Sequence, residues 1–574
     1  MIDPIAVLKA SPSPTQDTPW SDGHDTNPFN VASYLPARAH ERPFQKALIQ
    51  PQGYDDLARR QYSHLTYAQL DALCDAYVHG LRAMGFKQGD RVVMMVRQGL
   101  ELIALTYALF KMGAVPVMID PGMGIKSFLS CVRSVSPTGF IGIPLAHALK
   151  AVFRSSFTQV RHSVITRKVW WSSAPSLNTL ADFAAGPATM AQTQREDLAA
   201  ILFTSGSTGP PKGVRYSHGI FDGQVKAIGQ MYDIQPGEIE VPAFALFSLF
   251  SIALGMTCVI PDMDPTKPAQ VNPHNIVEAI LDHGATTAFG SPAVWARVGA
   301  YCVQHDIKLP TLKRILTAGA PINPTLMRTY QDIMAPGAFL HTPYGATECL
   351  PVSTISSEEV LAETHEQTAQ GAGLCVGRPI EWMDVKIIEV TDEPIESWEQ
   401  AVVLAPGEIG EICARGPVAT HGYENKPEHN AKAKIPAPSI AQGAFWHRMG
   451  DVGYLDEQGR LWYCGRKAHR VETSQGTLWS MACESIFNQH PEVFRTALVG
   501  VGARPDQRPL LWVERAPDAA SDDATLREQL LKMAQQHPST QAIETILFHE
   551  GFPVDRRHNA KIHREELAAL AASR

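Results

Sequence analysis

The sequence predicts an α/β protein: a large, multi-lobed N-terminal domain with parallel sheets and a β-rich lobe, followed by a small α/β C-terminal domain. Three observations lead to this prediction. The chain has 574 residues, which is more than one hydrophobic core usually organises. Strand and helix patterns alternate through residues 65–119, as in a parallel sheet covered by helices. Strand and helix patterns return after residue 466, behind a strand-rich region.

The alternating region consists of four elements in order. Apolar residues recur at helical spacing over residues 65–84, and a Gly-containing turn follows. Residues 91–96 form an apolar run that predicts a buried strand. Residues 100–112 again have helical spacing, and residues 113–119 predict a strand that Asp-Pro ends. These residues are expected to build the core and not to carry chemistry.

The rest of the chain gives less regular signals. Residues 150–195 carry no pattern that assigns them to an element. Residues 1–28 are rich in Pro, Ser, Asp and Thr and predict a loose arm. Further predictions are strands at 198–203, 314–321 and 497–501, a strand-rich region at 407–416, a helix at 526–533 and a solvated charged loop at 424–434.

Residues 241–260 are uncharged and long enough to span a bilayer. They contain Ser248, Ser251, Gly255 and Thr257, and no Lys or Arg flanks them closely. We therefore predict a buried core segment near a substrate pocket, with at most peripheral membrane contact.

Composition excludes several classes of function. The net charge is −8 and no dense Lys/Arg stripe is present, which argues against a nucleic-acid partner. The nine cysteines are scattered singly with no C-x-x-C pair, so neither a disulfide framework nor a zinc site is indicated. No signal peptide is evident at the N-terminus. These features predict a cytoplasmic location.

A glycine- and hydroxyl-rich loop follows the strand predicted at 198–203. Glycine allows close approach of the backbone to an anion, and successive N–H groups, hydroxyls and one lysine can surround phosphate oxygens. A Gly/Ser linker is the alternative, but linkers seldom carry Pro-Pro-Lys-Gly behind a strand. The common P-loop ending Gly-Lys-Ser/Thr is absent. The candidate phosphate-binding residues are Thr204, Ser205, Gly206, Ser207, Thr208, Gly209 and Lys212.

Further motifs follow downstream. Residues 314–321 end in the small residues Gly319, Ala320 and Pro321, which leave room for a flat ring. Residues 341–348 read His-Thr-Pro-Tyr-Gly-Ala-Thr-Glu, about 140 residues after the loop. The carboxylate of Glu348 is a suitable Mg²⁺ ligand, because Mg²⁺ binds through one or two carboxylates plus substrate phosphates.

These motifs together resemble the adenylate-forming superfamily of acyl-CoA synthetases, luciferases and nonribosomal-peptide adenylation domains, over about residues 45–570. The resemblance implies ATP and Mg²⁺ as cofactors and a mobile C-terminal domain. It implies an N-terminal arm at 1–44, a large adenylation domain at 45–465 and a small domain at 466–574, after the hinge. The implied nucleotide contacts at the base are Gly319, Ala320 and Pro321 at the adenine, with Tyr344 and Gly345 beside it. Asp451, in a glycine turn, would hold the ribose, and Arg466 would reach the ribose or the phosphate region.

The same resemblance implies the catalytic residues. Thr347 would contact the α-phosphate, Glu348 would hold Mg²⁺, and Lys561 would bridge the carboxylate and the α-phosphate. Around Lys561, Arg564 and Leu567 match the family's motif, whereas Ala560 replaces its usual glycine. Ser248 stands where relatives have a histidine, so that histidine's role is not transferred.

The second nucleophile is less clearly indicated. Ala468 replaces the aspartate of acyl-CoA ligases, and Thr473-Ser474-Gln475 replaces a small Gly-rich turn beside the pantetheine path. We expect the side chains at 473–475 to narrow that path, which argues against CoA as the second nucleophile. The hinge and the phosphate loop resemble those of the β-lactone synthetases of olefin biosynthesis. That resemblance implies closure of a long-chain 2-alkyl-3-hydroxy acid to a β-lactone, and assembly with other enzymes of the hydrocarbon pathway. Two alternatives stay open: a long-chain fatty-acyl-CoA or acyl-carrier ligase, and a non-catalytic nucleotide-binding scaffold.

Overall fold

A computed structural model describes residues 27–183, 186–204, 211–554 and 561–573. The strands, in chain order, are β1 Lys46–Tyr54, β2 Arg60–Thr66, β3 Arg91–Met95, β4 Val115–Ile119, β5 Gly139–Gly142, β6 His162–Ile165, β7 Leu198–Thr204, β8 Lys212–Ser217, β9 Ile239–Pro242, β10 Thr257–Val259, β11 Thr287–Gly290, β12 Arg314–Thr317, β13 Phe339–Ala346, β14 Cys349–Ser356, β15 Leu374–Cys375, β16 Arg378–Pro379, β17 Asp384–Ile388, β18 Gly410–Arg415, β19 Lys434–Pro436, β20 Phe445–Leu455, β21 Leu461–Arg466, β22 Val471–Thr473, β23 Gly476–Leu478, β24 Val493–Val501, β25 Arg508–Arg515 and β26 Ile546–Phe548.

Most helices lie between these strands. In chain order they are α1 Tyr34–Glu41, α2 Tyr67–Ala83, α3 Leu100–Lys111, α4 Ile125–Val135, α5 Pro144–Val152, α6 Leu177–Ala181, α7 His218–Met231, α8 Ser248–Ala253, α9 Pro273–His283, α10 Pro292–Gln304, α11 Pro324–Ile333, α12 Ser357–Glu359, α13 His365–Ala369, α14 Pro427–Ala433, α15 Ser480–Phe487, α16 Asp523–Gln536 and α17 Arg564–Ala572.

Two large sheets form the body of the protein. The first has the order β6-β5-β3-β4-β7-β8 and is parallel except for β8, which is antiparallel to β7. The second has nine strands in the order β16-β14-β13-β12-β11-β9-β10-β1-β2, with parallel strands in its centre. Because the loops after parallel strands emerge at one edge, each sheet presents a row of loops where a ligand can bind.

A third sheet and a separate C-terminal unit complete the fold. The third sheet, β15-β21-β20-β18-β17 with β19 beside β20, is antiparallel. The C-terminal unit contains the hairpin β22–β23 and the sheet β24-β25-β26, with α15, α16 and α17. The predicted fold class, with parallel sheets, a β-rich lobe and a small α/β domain, is therefore confirmed.

Individual elements agree with the sequence prediction where the apolar pattern is strong. Helix α2 begins at the capping box of Thr66 and Gln69. The strand at 91–96, the helix at 100–112 and the strand at 113–119 correspond to β3, α3 and β4. The uncharged segment 241–260 forms β9, α8 and β10 with its connections and contributes to the hydrophobic core, as predicted.

Three details differ from the sequence prediction. Residues 424–434 are not a solvated loop: they include α14, and Glu424 is buried in ion pairs with Arg91 and Arg215. Asp451 lies within the long strand β20 and not in a turn. The described part of the predicted arm, residues 27–44, includes α1 and packs into the core of the large body, because Tyr34 and Leu35 are buried there.

Candidate active site

One cavity of about 2440 Å³ gathers the residues that the sequence motifs singled out. It lies where loops from both large sheets meet the third sheet and the C-terminal unit. Ser205, Gly206, Ser207, Thr208 and Gly209 lie outside the described residues, and Thr204 ends β7 in register with Lys212. The other candidates all line the cavity: Lys212, Gly319, Ala320, Pro321, Tyr344, Gly345, Thr347, Glu348, Asp451, Arg466 and Lys561.

Glu348 is held from two sides. The hydroxyl of Tyr423 donates a hydrogen bond of 2.9 Å to its Oε1 atom. The backbone N–H and hydroxyl of Thr420 both donate to its carbonyl oxygen, at 2.8 and 3.0 Å. Burial and the nearby Glu348 charge raise the pKa of Tyr423, so this phenol stays a donor. The carboxylate is therefore fixed in place at the cavity wall.

The negative charge of Glu348 acts on two nearby lysines and favours their protonated forms, against the effect of burial. Burial lowers the pKa of Lys212, whose Nζ atom lies 5.1 Å from the ring centroid of Tyr423. Lys434 is buried, donates to the carbonyl of Thr420, and has a pKa lowered to about 8 by burial. This wall of the cavity therefore combines one carboxylate with one lining cation, Lys212, and Lys434 lies buried behind it, a suitable environment for a metal-bound polyphosphate.

Sequence reasoning missed Tyr423 and Lys434. Both lie in or beside the segment that its charges suggested was solvated, and their partners are distant in sequence. Thr347, in contrast, is predicted by its motif, and its carbonyl accepts a hydrogen bond of 2.5 Å from the hydroxyl of Tyr216. No local signal distinguishes Tyr423 from an ordinary loop tyrosine.

Asp451, Arg466 and Tyr344 form a second polar cluster in the cavity wall, in which Asp451 is buried and the other two are half-buried. Asp451 and Arg466 are cross-strand partners on β20 and β21, and their Oδ1 and Nη1 atoms lie 3.0 Å apart. That contact is an ion pair without hydrogen-bond geometry, so Oδ1 keeps unused acceptor capacity. Tyr344 donates to Oδ2 at 2.7 Å. Burial raises the pKa of Asp451, and the neighbouring Arg466 opposes that rise.

Two glycines keep backbone close to the cavity. A Cβ on Gly345 would lie 2.6 Å from the carbonyl oxygen of Cys349, so a side chain would collide with the β13–β14 connection. Gly319 has φ of +98°, which favours glycine. Because Gly319, Ala320 and Pro321 all line the cavity, this part of its wall presents little side chain, as a flat ring requires.

Lys561 reaches the cavity from the C-terminal unit. It lies between β26 and α17, and Ile562 bridges back to Val554. The guanidinium of Arg564 binds both oxygens of the buried Glu484, at 2.5 and 2.9 Å. Leu567 is buried in the small core of this unit. In this motif, Lys561 therefore lines the cavity, and Arg564 and Leu567 hold the segment that carries it in place.

A large part of the cavity wall is apolar. Phe247 stacks on Phe289 with ring centroids 3.6 Å apart. Ser248 is buried and accepts from the thiol of Cys258 at 3.1 Å, away from the cavity. The apolar lining contributed by the ends of the first sheet and the adjoining helices includes Met94, Met95, Val96, Leu102, Met118, Ile119, Ile143, Leu145, Ala146, Leu149, Leu202 and Phe203.

The turn at 473–475 does not narrow the cavity. It is the exposed tip of the β22–β23 hairpin, closed by a hydrogen bond of 2.9 Å from the Thr473 hydroxyl to the carbonyl of Gly476. The neighbouring hinge residue Ala468 does line the cavity. The expectation that side chains at 473–475 obstruct a thiol path is therefore not supported by this arrangement.

Comparison with known proteins identifies the family. Residues 35–424 match the model of the AMP-binding enzymes. The chain belongs to the AMP-binding enzyme family. Enzymes of this family use ATP to form acyl adenylates, so the prediction of an AMP-forming ligase is confirmed. The family match covers the sheets and motifs that line most of the cavity.

Relatives and solved structures extend the likeness to nearly the whole chain. The chain is 45% identical to an olefin β-lactone synthetase of Stenotrophomonas maltophilia, over 95% of this chain and 98% of the relative. It is 43% identical to the olefin β-lactone synthetase of Xanthomonas campestris pv. campestris, over 96% and 99%. The crystal structure of an anthranilate CoA ligase superposes with a TM-score of 0.76 at 18% identity, covering 95% of this chain and 98% of that one.

The described residues lack two further features. No group of three or more His, Cys, Asp or Glu side chains in the described ranges is arranged to hold a metal by protein ligands alone. No helix within them is long and apolar enough to cross a membrane.

Proposed function

We propose that this enzyme activates a long-chain 2-alkyl-3-hydroxy acid as its acyl adenylate and closes it to a β-lactone in olefin biosynthesis. The observation that carries the proposal is the end-to-end likeness to two olefin β-lactone synthetases, at 45% and 43% identity. The apolar part of the cavity supports a long-chain substrate, because burial of each CH₂ group contributes about 0.8 kcal/mol.

The adenylation step is assigned to the polar part of the cavity. A carboxylate oxygen of the substrate attacks the α-phosphorus of ATP, and the bond to pyrophosphate breaks. Two anions must approach each other, so catalysis depends mainly on positioning and on cations. We assign Lys561 to the bridge between substrate carboxylate and α-phosphate, and Thr347 to an α-phosphate oxygen.

The nucleotide contacts follow the same geometry. Gly319, Ala320 and Pro321 would lie against the adenine, with Tyr344 and Gly345 beside it. Asp451 would accept from the ribose hydroxyls, for which its Oδ1 atom has unused acceptor capacity. Arg466 holds Asp451 and would reach toward the phosphate. The remaining phosphate contacts are assigned to Thr204, Ser205, Gly206, Ser207, Thr208, Gly209 and Lys212.

Glu348 fits a Mg²⁺ site. It is one carboxylate fixed by Tyr423, and Mg²⁺ usually binds through one or two carboxylates plus substrate phosphates and water. Bound there, Mg²⁺ would neutralise charge on the phosphates. Lys434, buried behind this wall, would add a positive charge in its protonated form.

The closing step needs no external nucleophile. The substrate's 3-hydroxyl oxygen attacks the acyl carbon of the adenylate and forms the ring C–O bond. The bond from that carbon to the AMP oxygen breaks, AMP leaves, and the hydroxyl proton goes to solvent or a nearby base. The net change in the organic acid is the loss of one water.

Location and partners are part of the proposal. All nine cysteines are unpaired and buried, as expected in a reducing compartment, which supports a cytoplasmic site of action. Assembly with the enzymes that make the hydroxy acid and consume the lactone would keep this apolar substrate out of water.

The direct test is incubation with ATP, Mg²⁺ and a long-chain 2-alkyl-3-hydroxy acid, with no CoA. We expect pyrophosphate and a product with the mass of the acid minus one water. The matched acid without the 3-hydroxyl should release pyrophosphate in a single turnover and give no such product. A requirement for CoA or an acyl-carrier thiol would favour the ligase alternative, and no pyrophosphate release with any acid would exclude both.

A further inference from the structure

Leu145 and residues 166–171, called the rim below, carry exposed side chains beside the apolar part of the cavity. Trp170 is 96% exposed and Trp171 43%, in the loop that follows β6. Leu145, at the start of α5, is 73% exposed and also lines the cavity. Large side chains exposed together mark an interaction site, whereas single exposed ones need no explanation.

The fold places these side chains at one edge of the first sheet. The loop 166–175 begins and ends at Ile165, whose N–H donates to the carbonyl of Pro175 at 2.9 Å. Strands β5 and β6 are parallel, so α5 and this loop emerge from the same edge. His147 of α5 is 2.9 Å from the carbonyl oxygen of Val164 on β6, which ties the two together. Leu145 and the loop therefore lie at the same edge of the first sheet, and Leu145 also lines the cavity.

The rim belongs to a region of unusual charge. Residues 121–181 contain seven Lys and Arg and no Asp or Glu, although the whole chain carries −8. Arg167 and Lys168 are exposed in the same loop as the two tryptophans, and they make no ion pair with any described residue. Lys126, at the start of α4, is exposed at the same sheet edge. The acidic groups at that edge are Glu101 and Asp120, of which Asp120 faces the cavity.

We propose that this rim, residues 145 and 166–171, docks the enzyme on an anionic phospholipid surface and takes up its acid there. Trp rings favour the membrane–water interface, and exposed Lys and Arg are attracted to anionic lipid headgroups. Because Leu145 belongs to both the rim and the cavity lining, a chain leaving the bilayer would pass directly to the apolar wall. This proposal rests on the proposed function for its long-chain substrate.

Vesicle sedimentation tests the docking without any catalysis. The full-length protein is mixed, without ATP or acid, with vesicles of phosphatidylcholine alone or of phosphatidylcholine and phosphatidylglycerol. We expect sedimentation with the anionic vesicles only, weakening as salt is raised. W170S/W171S and R167E/K168E should each lower the partition coefficient at least about tenfold, since each interfacial cation contributes about fivefold and two are reversed in the second variant.

Matched variants in the C-terminal unit serve as controls. F494S removes an exposed apolar side chain, and R508E/K532E reverses two exposed cations, so both should sediment like wild type. Wild-type protein that stays in the supernatant with anionic vesicles would overturn the proposal. Equal sedimentation of W170S/W171S and F494S would also overturn it, and would assign the binding to another surface.

Kinetics separate this proposal from the proposed function. With the acid presented in anionic vesicles, W170S/W171S should raise KM at least about tenfold and leave kcat unchanged. With the acid dispersed in neutral detergent, both constants should match wild type. If no lactone forms but vesicles still bind, only the proposed function fails; if lactone forms and vesicles do not bind, only the docking fails.

Discussion

At the residue scale, Lys561 has the most direct test. It lines the cavity from a segment that the ion pair of Arg564 with Glu484 anchors. Replacement by Ala should lower the rate of pyrophosphate release about 10²-fold or more, as expected for loss of one charge contact made in the transition state. Lys532→Ala, at an exposed position on α16, is the control. Pyrophosphate release at the wild-type rate by Lys561→Ala would refute the assignment.

Tyr423 gives a second prediction at this scale, and it concerns Mg²⁺. Tyr423→Phe removes the donor to Glu348 Oε1 while keeping the ring beside Lys212. Hydrogen bonds to charged groups contribute about 1.5–3 kcal/mol. We therefore expect the Mg²⁺ concentration for half-maximal pyrophosphate release to rise about tenfold or more.

The control for Tyr423 is a tyrosine with a similar contact elsewhere. Tyr232 is buried and its hydroxyl lies 3.0 Å from that of Thr354, outside the cavity lining. Tyr232→Phe should change the free energy of unfolding slightly and leave the Mg²⁺ dependence as in wild type. An unaltered Mg²⁺ dependence in Tyr423→Phe would show that this contact does not position the metal ligand.

At the scale of elements, β9 and α8 enclose a buried carboxylic acid that makes stability depend on pH. Burial raises the pKa of Glu240 to about 7 from 4.5, and its hydrogen bond from Ser251 opposes the rise. The folded state therefore keeps a proton that the unfolded state loses above pH 4.5. The resulting stabilisation is present below pH 4.5 and is lost as pH rises through about 7.

This dependence can be measured against Glu240→Gln, which stays neutral. Between about pH 5 and 8 the wild type should lose roughly 2–3 kcal/mol of unfolding free energy relative to the variant, at about 1.4 kcal/mol per pKa unit. Urea unfolding at both pH values gives the difference, with Glu457→Gln in an exposed turn as control. Parallel pH profiles for wild type and Glu240→Gln would contradict the prediction.

Elements with an uninterrupted apolar pattern could be predicted from the sequence, and elements held by distant charges could not. Strands β3 and β4 follow from their apolar runs. Glu424 looked solvated, yet its partners Arg91 and Arg215 are more than 200 residues away and neutralise it inside the protein. Asp451 looked like a turn residue because only the strand register shows Arg466 opposite it.

At the scale of the whole molecule, the motifs predicted the site because each is a short run of residues that can be recognised without knowing how the chain packs. All described candidates except Thr204 line one cavity. The residues that support them, Tyr423 and Lys434, were not predictable, because their roles depend on which loops the fold brings beside Glu348. Residues 150–195 were unpredictable for the same reason. Only the fold shows that their exposed loop between β6 and α6 lies at the same sheet edge as Leu145 of the cavity lining.

The last prediction concerns the two proposed domains, 45–465 and 466–574, and the hinge after Arg466. A ligase that uses an external thiol must admit it after adenylation, and the resemblance to this superfamily implies that the small domain rotates to do so. A substrate that carries its own hydroxyl needs no such rotation to close. Stiffening the hinge should therefore slow product formation in a thiol ligase and leave it nearly unchanged in a lactone synthetase.

Ala468→Pro stiffens this point of the chain, since proline fixes φ near −65°, a value that a 3₁₀ turn such as Lys467–His469 already uses. In a single turnover with ATP and the 3-hydroxy acid, we expect adenylate to form and the lactone to follow within about tenfold of the wild-type rate, a barrier change below about 1.4 kcal/mol. Ala468→Gly, which loosens the same position, should behave like wild type. Adenylate that accumulates in Ala468→Pro without lactone would mean that closure depends on rotation of the small domain, and the argument from an internal nucleophile would be wrong.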